Sequence, residues 1–164
     1  MPGPIATVGS MHVCPMLNPG VPPPPHVGGP VAGPGAPTVL AGGKPVAVMG
    51  DLCVCAGPPD TIVQGEATVL AEGKPVATTG SMTAHGGSIT QGEPTILVGT
   101  GPSAKTVIMP IQEIPFPKIT ATMTALAALA GQSEQLREAK AKQKALKEEA
   151  EKKNGHLGNF SLSL

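Results

Sequence analysis

Aromatic side chains are almost absent from this chain: two Phe, no Trp and no Tyr in 164 residues. An ordinary globular core draws much of its buried area from aromatics and long aliphatics, and this chain must build one mainly from small side chains. Net charge is absent too, with 11 basic and 11 acidic residues. No basic field and no stacking platform exist for nucleic acid, so that class of partner is excluded. Long apolar runs are missing as well. The longest, Ala121 to Ala130, is too short to span a bilayer and includes two Thr, so stable membrane insertion is not expected. The N-terminus shows neither the basic nor the apolar region of a signal peptide, which makes a cytoplasmic start the expectation. Cysteine is scarce and odd in number, at three, which argues against a disulfide framework.

Glycine and proline are plentiful, 22 and 20, together about a quarter of the chain. At that level an aperiodic chain is disordered, but mean hydropathy is slightly positive here and the sequence has a period. Every proline lies at or before Pro117, and twelve of the 22 charged residues crowd into Glu134–Lys153. Three parts follow: a repeat domain over 1–108, a Pro-rich extended linker over 109–118, and a helical extension over 119–164.

The repeat is about 30 residues long. Pro37-Thr-Val-Leu-Ala-Gly-Gly-Lys-Pro-Val-Ala-Val-Met-Gly-Asp51 matches Ala67-Thr-Val-Leu-Ala-Glu-Gly-Lys-Pro-Val-Ala-Thr-Thr-Gly-Ser81, and Pro94-Thr-Ile-Leu-Val-Gly-Thr-Gly101 is a truncated third copy. Short β-branched runs between Gly and Pro turns predict a mostly β domain of short strands. Three such units, none able to bury its apolar face alone, pack around a common pseudo-three-fold axis.

The Cys and His residues follow the repeat. Each unit opens with Gly-Ser or Gly-Asp (Gly9, Gly50, Gly80), and five residues on stand Cys14, Cys55 and His85. Three residues on stand His12, Cys53 and Thr83, while His26 precedes a Gly-Gly much as His85 does. A three-fold would make His26, Cys55 and His85 converge, with the His12-Val-Cys14 turn supplying a fourth ligand. Imidazole and thiolate in fours are a Zn²⁺ donor set, and a core this poor in aromatics gains from a metal clip. The candidates rank as His26 and His85, then His12 and Cys55, with Cys14 the main competitor and Cys53 more distant. Asp51 and Asp60 flank the middle element but have no acidic counterparts in the other repeats, and no hydrolase motif is present, so no enzymatic activity is expected. Asp51 reads as a turn residue.

Met11-His-Val-Cys-Pro15, Pro25-His-Val-Gly-Gly-Pro30, Gly50-Asp-Leu-Cys-Val-Cys-Ala-Gly-Pro-Pro-Asp60 and Ala84-His-Gly-Gly87, alternating with Thr-Val-Leu-x-x-Gly-Lys-Pro-Val-Ala, resemble the PAAR-repeat proteins of type VI secretion and related contractile injection machines. The resemblance covers about residues 1–101. It implies a cone of short strands seated by its broad face on the blunt end of a trimeric β-helical spike. It also implies an apex held by one zinc ion per chain, bound by four of His12, Cys14, His26, Cys55 and His85, and delivery outside the cell at the tip of the machine. The Arg of the Pro-Ala-Ala-Arg signature is missing from both copies, Pro45-Val-Ala-Val48 and Pro75-Val-Ala-Thr78. The insertion Met16–Pro25, with four consecutive prolines, is expected as a stiff loop near the tip or side.

The helical candidate is residues 119–153, with helix formers dominating Thr124–Lys153, interrupted at Gly131 and Ser133 and expected to end at Asn154-Gly155. Leu129, Leu136, Gln143 and Ala150 recur every seven residues, as do Gln132, Ala139, Leu146 and Lys153. That stripe is half polar and gives weak support for a self-associating coiled coil. A solvated helix or a docking helix for an effector or chaperone are the two readings it allows.

Overall fold

A computed structural model describes residues 3–101 and 106–157. Their order is β1 (Gly3–Ile5), β2 (His12–Val13), β3 (Gly28–Gly33), β4 (Ala36–Ala41), β5 (Lys44–Val46), β6 (Leu52–Cys55), β7 (Asp60–Thr61), β8 (Gln64–Ala71), β9 (Lys74–Val76), β10 (Ser88–Ile89), β11 (Glu93–Val98), β12 (Thr106–Ile108), α1 (Ala121–Leu129) and α2 (Ser133–Leu157). The chain is mostly β with a C-terminal helical part, as its composition implies.

The Thr-Val-Leu…Lys-Pro-Val elements form antiparallel hairpins. β4 pairs β5 with Leu40 opposite Pro45, and β8 pairs β9 with Leu70 opposite Pro75. Their two-residue turns, Gly42-Gly43 and Glu72-Gly73, hold positive φ at both positions, as a tight hairpin whose twist matches its strands requires. The truncated third copy is completed from the other end of the chain. β11 pairs β1 with Leu97 opposite Pro4, so the N-terminal strand closes the ring and serves as the third Lys-Pro-Val element. Sequence reading missed this third copy, Pro4-Ile-Ala-Thr7, although it stands at the same distance before Gly9 as Pro45 and Pro75 before Gly50 and Gly80.

Backbone hydrogen bonds make the three-fold explicit. Ala6 N–H donates to Ala77 O, Ala77 to Ala47 O and Ala47 to Ala6 O, each at 2.9 Å. One step outward, Val8 donates to Pro45 O, Met49 to Pro75 O and Thr79 to Pro4 O, again each at 2.9 Å. The three alanines are fully buried at the axis, where a closed ring of peptide groups leaves little room for a longer side chain. Each unit then turns at Gly9, Gly50 or Gly80, all at φ above +90°. Ser10, Asp51 and Ser81 each accept a hydrogen bond from the backbone N–H three residues earlier. Thr7, Val48 and Thr78, at the place of the signature Arg, are buried.

Three layers stack along the axis. Ile5, Ala36, Ala41, Val46, Val48, Ala71, Val76 and Val98 pack among the hairpins. Ala6, Val31, Ala47, Cys53, Ile62, Ala77 and Ile89 fill the middle. The Cys and His residues close the far end.

Beyond the repeats, β12 adds to the edge of β8, and the chain then folds back onto the cone. Met109 and Ile114 are buried with Val63, Ala84, Leu146 and Ala150. α1 begins at Thr120, whose hydroxyl accepts from Met123 N–H at 3.2 Å. It ends in paired bonds from Gln132 N–H to Ala127 O and from Gly131 N–H to Ala128 O, with Gly131 at φ +72°, a Schellman closure that turns the chain into α2. The seven-residue stripe of α2 (Leu136, Ala139, Gln143, Leu146, Ala150) is buried. It faces the cone and, at Leu136, Ala127 of α1, rather than solvent. α2 runs through Asn154-Gly155 to Leu157, beyond the expected stop. Glycine weakens a helix interior by only about 1 kcal/mol and does not block it. Among the described residues, no helix is long and apolar enough to cross a membrane.

Candidate metal centre

The register that places Ala6, Ala47 and Ala77 on the axis carries Cys14, Cys55 and His85 to its apex. Cys14 follows β2, Cys55 ends β6, and His85 sits in the turn before β10. His26 directly follows the inserted loop, which doubles back on itself. Asn18 N–H donates to Pro24 O and His26 N–H to Met16 O, both at 2.8 Å. Glycines permit the approach, since a Cβ on Gly28 or Gly87 would run into the backbone of His12 or Val13 in β2.

One donor atom from each of Cys14, His26, Cys55 and His85 lies within 4.8 Å of the other three. Cys14 Sγ is 3.5 Å from His26 Nδ1 and 3.5 Å from His85 Nδ1, and Cys55 Sγ is 3.2 Å from His26 Nδ1. Tetrahedral zinc with ordinary Zn–S and Zn–N bonds has ligand-to-ligand edges of about 3.3–3.8 Å. The set therefore fits one small four-coordinate ion in donor type, number and spacing.

Protonation is arranged to match. Burial holds both His26 and His85 below the ordinary imidazole value, aided for His26 by its neighbour His85, so neutral rings offer lone pairs. The His26 tautomer is set by Asn18, whose Oδ1 accepts from Nε2–H at 2.8 Å while its amide donates to Ala56 O. That leaves Nδ1 unprotonated toward the cluster. Burial pushes the thiols of Cys14 and Cys55 up. Two crowded, desolvated sulfurs become thiolates only with a cation between them.

His12 and Cys53 lie one layer below. His12 Nδ1–H donates to Gly29 O at 2.8 Å, and its Nε2 stands 3.6 Å from Asp60 Oδ2 in a fully buried ion pair. Burial alone would lower its pKa, but Asp60 and Gly29 outweigh that and hold it above the ordinary value. Asp60 likewise titrates below its usual range against its own burial, chiefly through His12. Its Oδ1 accepts from Thr61 N–H at 2.8 Å and from His85 N–H at 3.0 Å, which fixes the His85 turn. Cys53 belongs to the middle core, where burial pushes its thiol up to about 12. Asp51 accepts from Val48 N–H and Gly35 N–H and is a turn residue.

Two residues outside the sequence candidates matter here. Asn18 is one, and Gly57 is the other. A Cβ at Gly57 would meet His26 Nε2 at 2.7 Å. The C-terminal helices also reach the site: Met123 and Ala139 pack with Cys14 and Met16, and Gln143 Nε2–H donates to Met16 Sδ at 3.3 Å.

No curated protein and no solved structure matches the chain. Residues 20–91 match the family model of the PAAR motif. The matched stretch carries His26, Cys55, His85 and two of the three Pro-x-Ala elements of the axis. The family match falls within the repeats that build the three-fold ring, and over residues 20–91 this chain is similar to the PAAR motif family.

Proposed function

We propose that this protein is the tip of a contractile injection or type VI secretion spike, a non-enzymatic part that sharpens the spike for membrane puncture and helps attach cargo effectors. One observation carries the reading. The hairpin layer ends in three matched pairs of exposed apolar side chains: Val39-Leu40, Val69-Leu70 and Ile96-Leu97, with the leucines 59%, 58% and 61% exposed. They lie on strands β4, β8 and β11, which the backbone ring relates by three-fold symmetry. A single chain with three matched apolar pairs is the complement of a symmetric trimer, and a β-structured partner would cover apolar surface that is otherwise an aggregation liability. The PAAR family's place at spike tips supports the same reading.

At the opposite end the four donors suit Zn²⁺, one per chain. Bound there, zinc supplies ligand bonds that tie the three repeats and the inserted loop together. The chain's own residues do the rest: Asn18 orients His26, Asp60 holds the His85 turn, and the axial alanines bring the strands to a point. Assembly in the cytoplasm and delivery outside the cell belong to this reading.

The test is native mass spectrometry with a trimeric β-helical spike protein from the same cell. One copy of this chain per three spike chains is expected, with binding lost in Leu40→Asp/Leu70→Asp/Leu97→Asp. A one-to-one ratio, or undiminished binding by that variant, overturns the proposal.

A further inference from the structure

The eleven cations of this neutral chain are unevenly spread. Four of them line one groove of about 500 Å³ on the flank of the cone, where Phe116, Pro117 and Lys118 form one wall and Lys140, Lys144 and Lys147 of α2 the other. Among the described residues, no carboxylate lines it. Lys140, Lys144 and Lys147 stand at i, i+4 and i+7 on one side of the helix, and Arg137 continues the row into the adjoining hollow.

Two of these ammonium groups are fixed by neutral partners. Lys140 Nζ donates to Thr124 Oγ1 at 2.9 Å, and Lys147 Nζ lies 4.8 Å from the centroid of the Phe116 ring. Their positions are thereby set, with no carboxylate paired to either among the described residues. Lys144 has Glu148 at 3.9 Å, a solvent-exposed contact of little weight. Lys142, whose pairing with Glu138 is close at 2.6 Å, is not among the lining residues.

We infer that this groove binds an extended acidic segment of a partner protein. The groove is concave and two-walled, which suits a strand of chain better than a flat lipid surface. Lys140 and Lys147 are separated by about 10 Å along the helix axis, the span of about three extended residues. Carboxylates along such a segment meet the lysine row, while an apolar side chain finds Phe116 and Pro117. Charge complementarity of this kind sets partner choice and association rate more than raw affinity. The surface is separate from the apolar base, so its use does not depend on docking to a spike.

The experiment is a fluorescence-anisotropy titration of the full chain with a fluorescein-labelled six-residue peptide of glutamate and leucine. It is run at about 50 mM and about 500 mM salt, where exposed charges are weakly and strongly screened. Saturable binding at low salt is expected, weakened at least about tenfold in Lys140→Gln/Lys144→Gln/Lys147→Gln and by the high salt. Lys44→Gln/Lys74→Gln, which removes charge from the distant hairpins, should stay within about twofold of wild type. Thermal unfolding of both variants confirms an intact fold. Absence of saturable binding, equal loss in the two variants, or binding to phosphatidylserine vesicles but not to the peptide overturns the inference. None of these outcomes bears on spike docking, which the base variants test separately.

Discussion

Replacing Asn18 by Ala removes both hydrogen bonds that fix His26 in the apex. Oδ1 accepts from His26 Nε2–H at 2.8 Å, and the amide ties the loop to Ala56 beside Cys55. Without the acceptor, the ring is free to place its proton on Nδ1, the atom that faces Cys14 and Cys55. Loss of a partner of this kind weakens metal affinity about 10- to 100-fold, or about 1.4–2.8 kcal/mol. Two hydrogen bonds at about 0.5–1.5 kcal/mol each give a similar figure. The assay is competition for zinc against a chromogenic chelator, comparing wild type, Asn18→Ala and Asn18→Asp. Asn18→Asp keeps the acceptor and should lose less than Asn18→Ala. An Asn18→Ala affinity within about twofold of wild type would refute the reasoning, because His26 would then need no external partner to present Nδ1.

Leu146 is fully buried between α2 and the cone, so Leu146→Ala should cost about 2–5 kcal/mol in chemical denaturation. If the helices were an independent tail, the cone's transition would not move. Ala47→Leu forces a branched side chain into the axial ring, and a loss of about 1–3 kcal/mol is expected by the same measurement. Val39→Ala, at the exposed base, should leave stability within about 0.5 kcal/mol. A larger loss there would mean that the edge is packed rather than presented.

The repeat could be read from sequence because each unit contributes the same few backbone demands: a tight hairpin turn, a Pro-x-Ala strand and a turn glycine. Register then places residues by counting. Cys14, Cys55 and His85 stand five residues after those glycines and meet, whereas His12, Cys53 and Thr83, three after, lie a layer lower. Alternation in a strand would put His12 and Cys14 on one face. β2 ends at Val13, however, so strand alternation no longer governs Cys14 and the two part company. His26 could be singled out by its Gly-Gly, but not the partner that orients it. Asn18 contacts it only because the inserted loop folds back, which local pattern does not encode. The N-terminal strand carries no local sign of a repeat hairpin because its partner, β11, lies some ninety residues away. The seven-residue stripe of α2 was visible as well. Its partner was not, since a half-polar stripe names no surface until the cone offers Val63, Ala84 and Met16 to it.

The account turns on the apex as a metal centre, and elemental analysis of the purified protein tests that most directly, on wild type and on His26→Ala/His85→Ala. One zinc per chain in wild type, lost together with cooperative folding in the double variant, is the predicted result. Metal-free protein with its β structure and unfolding transition intact would contradict it, and would leave the four convergent donors as packing alone.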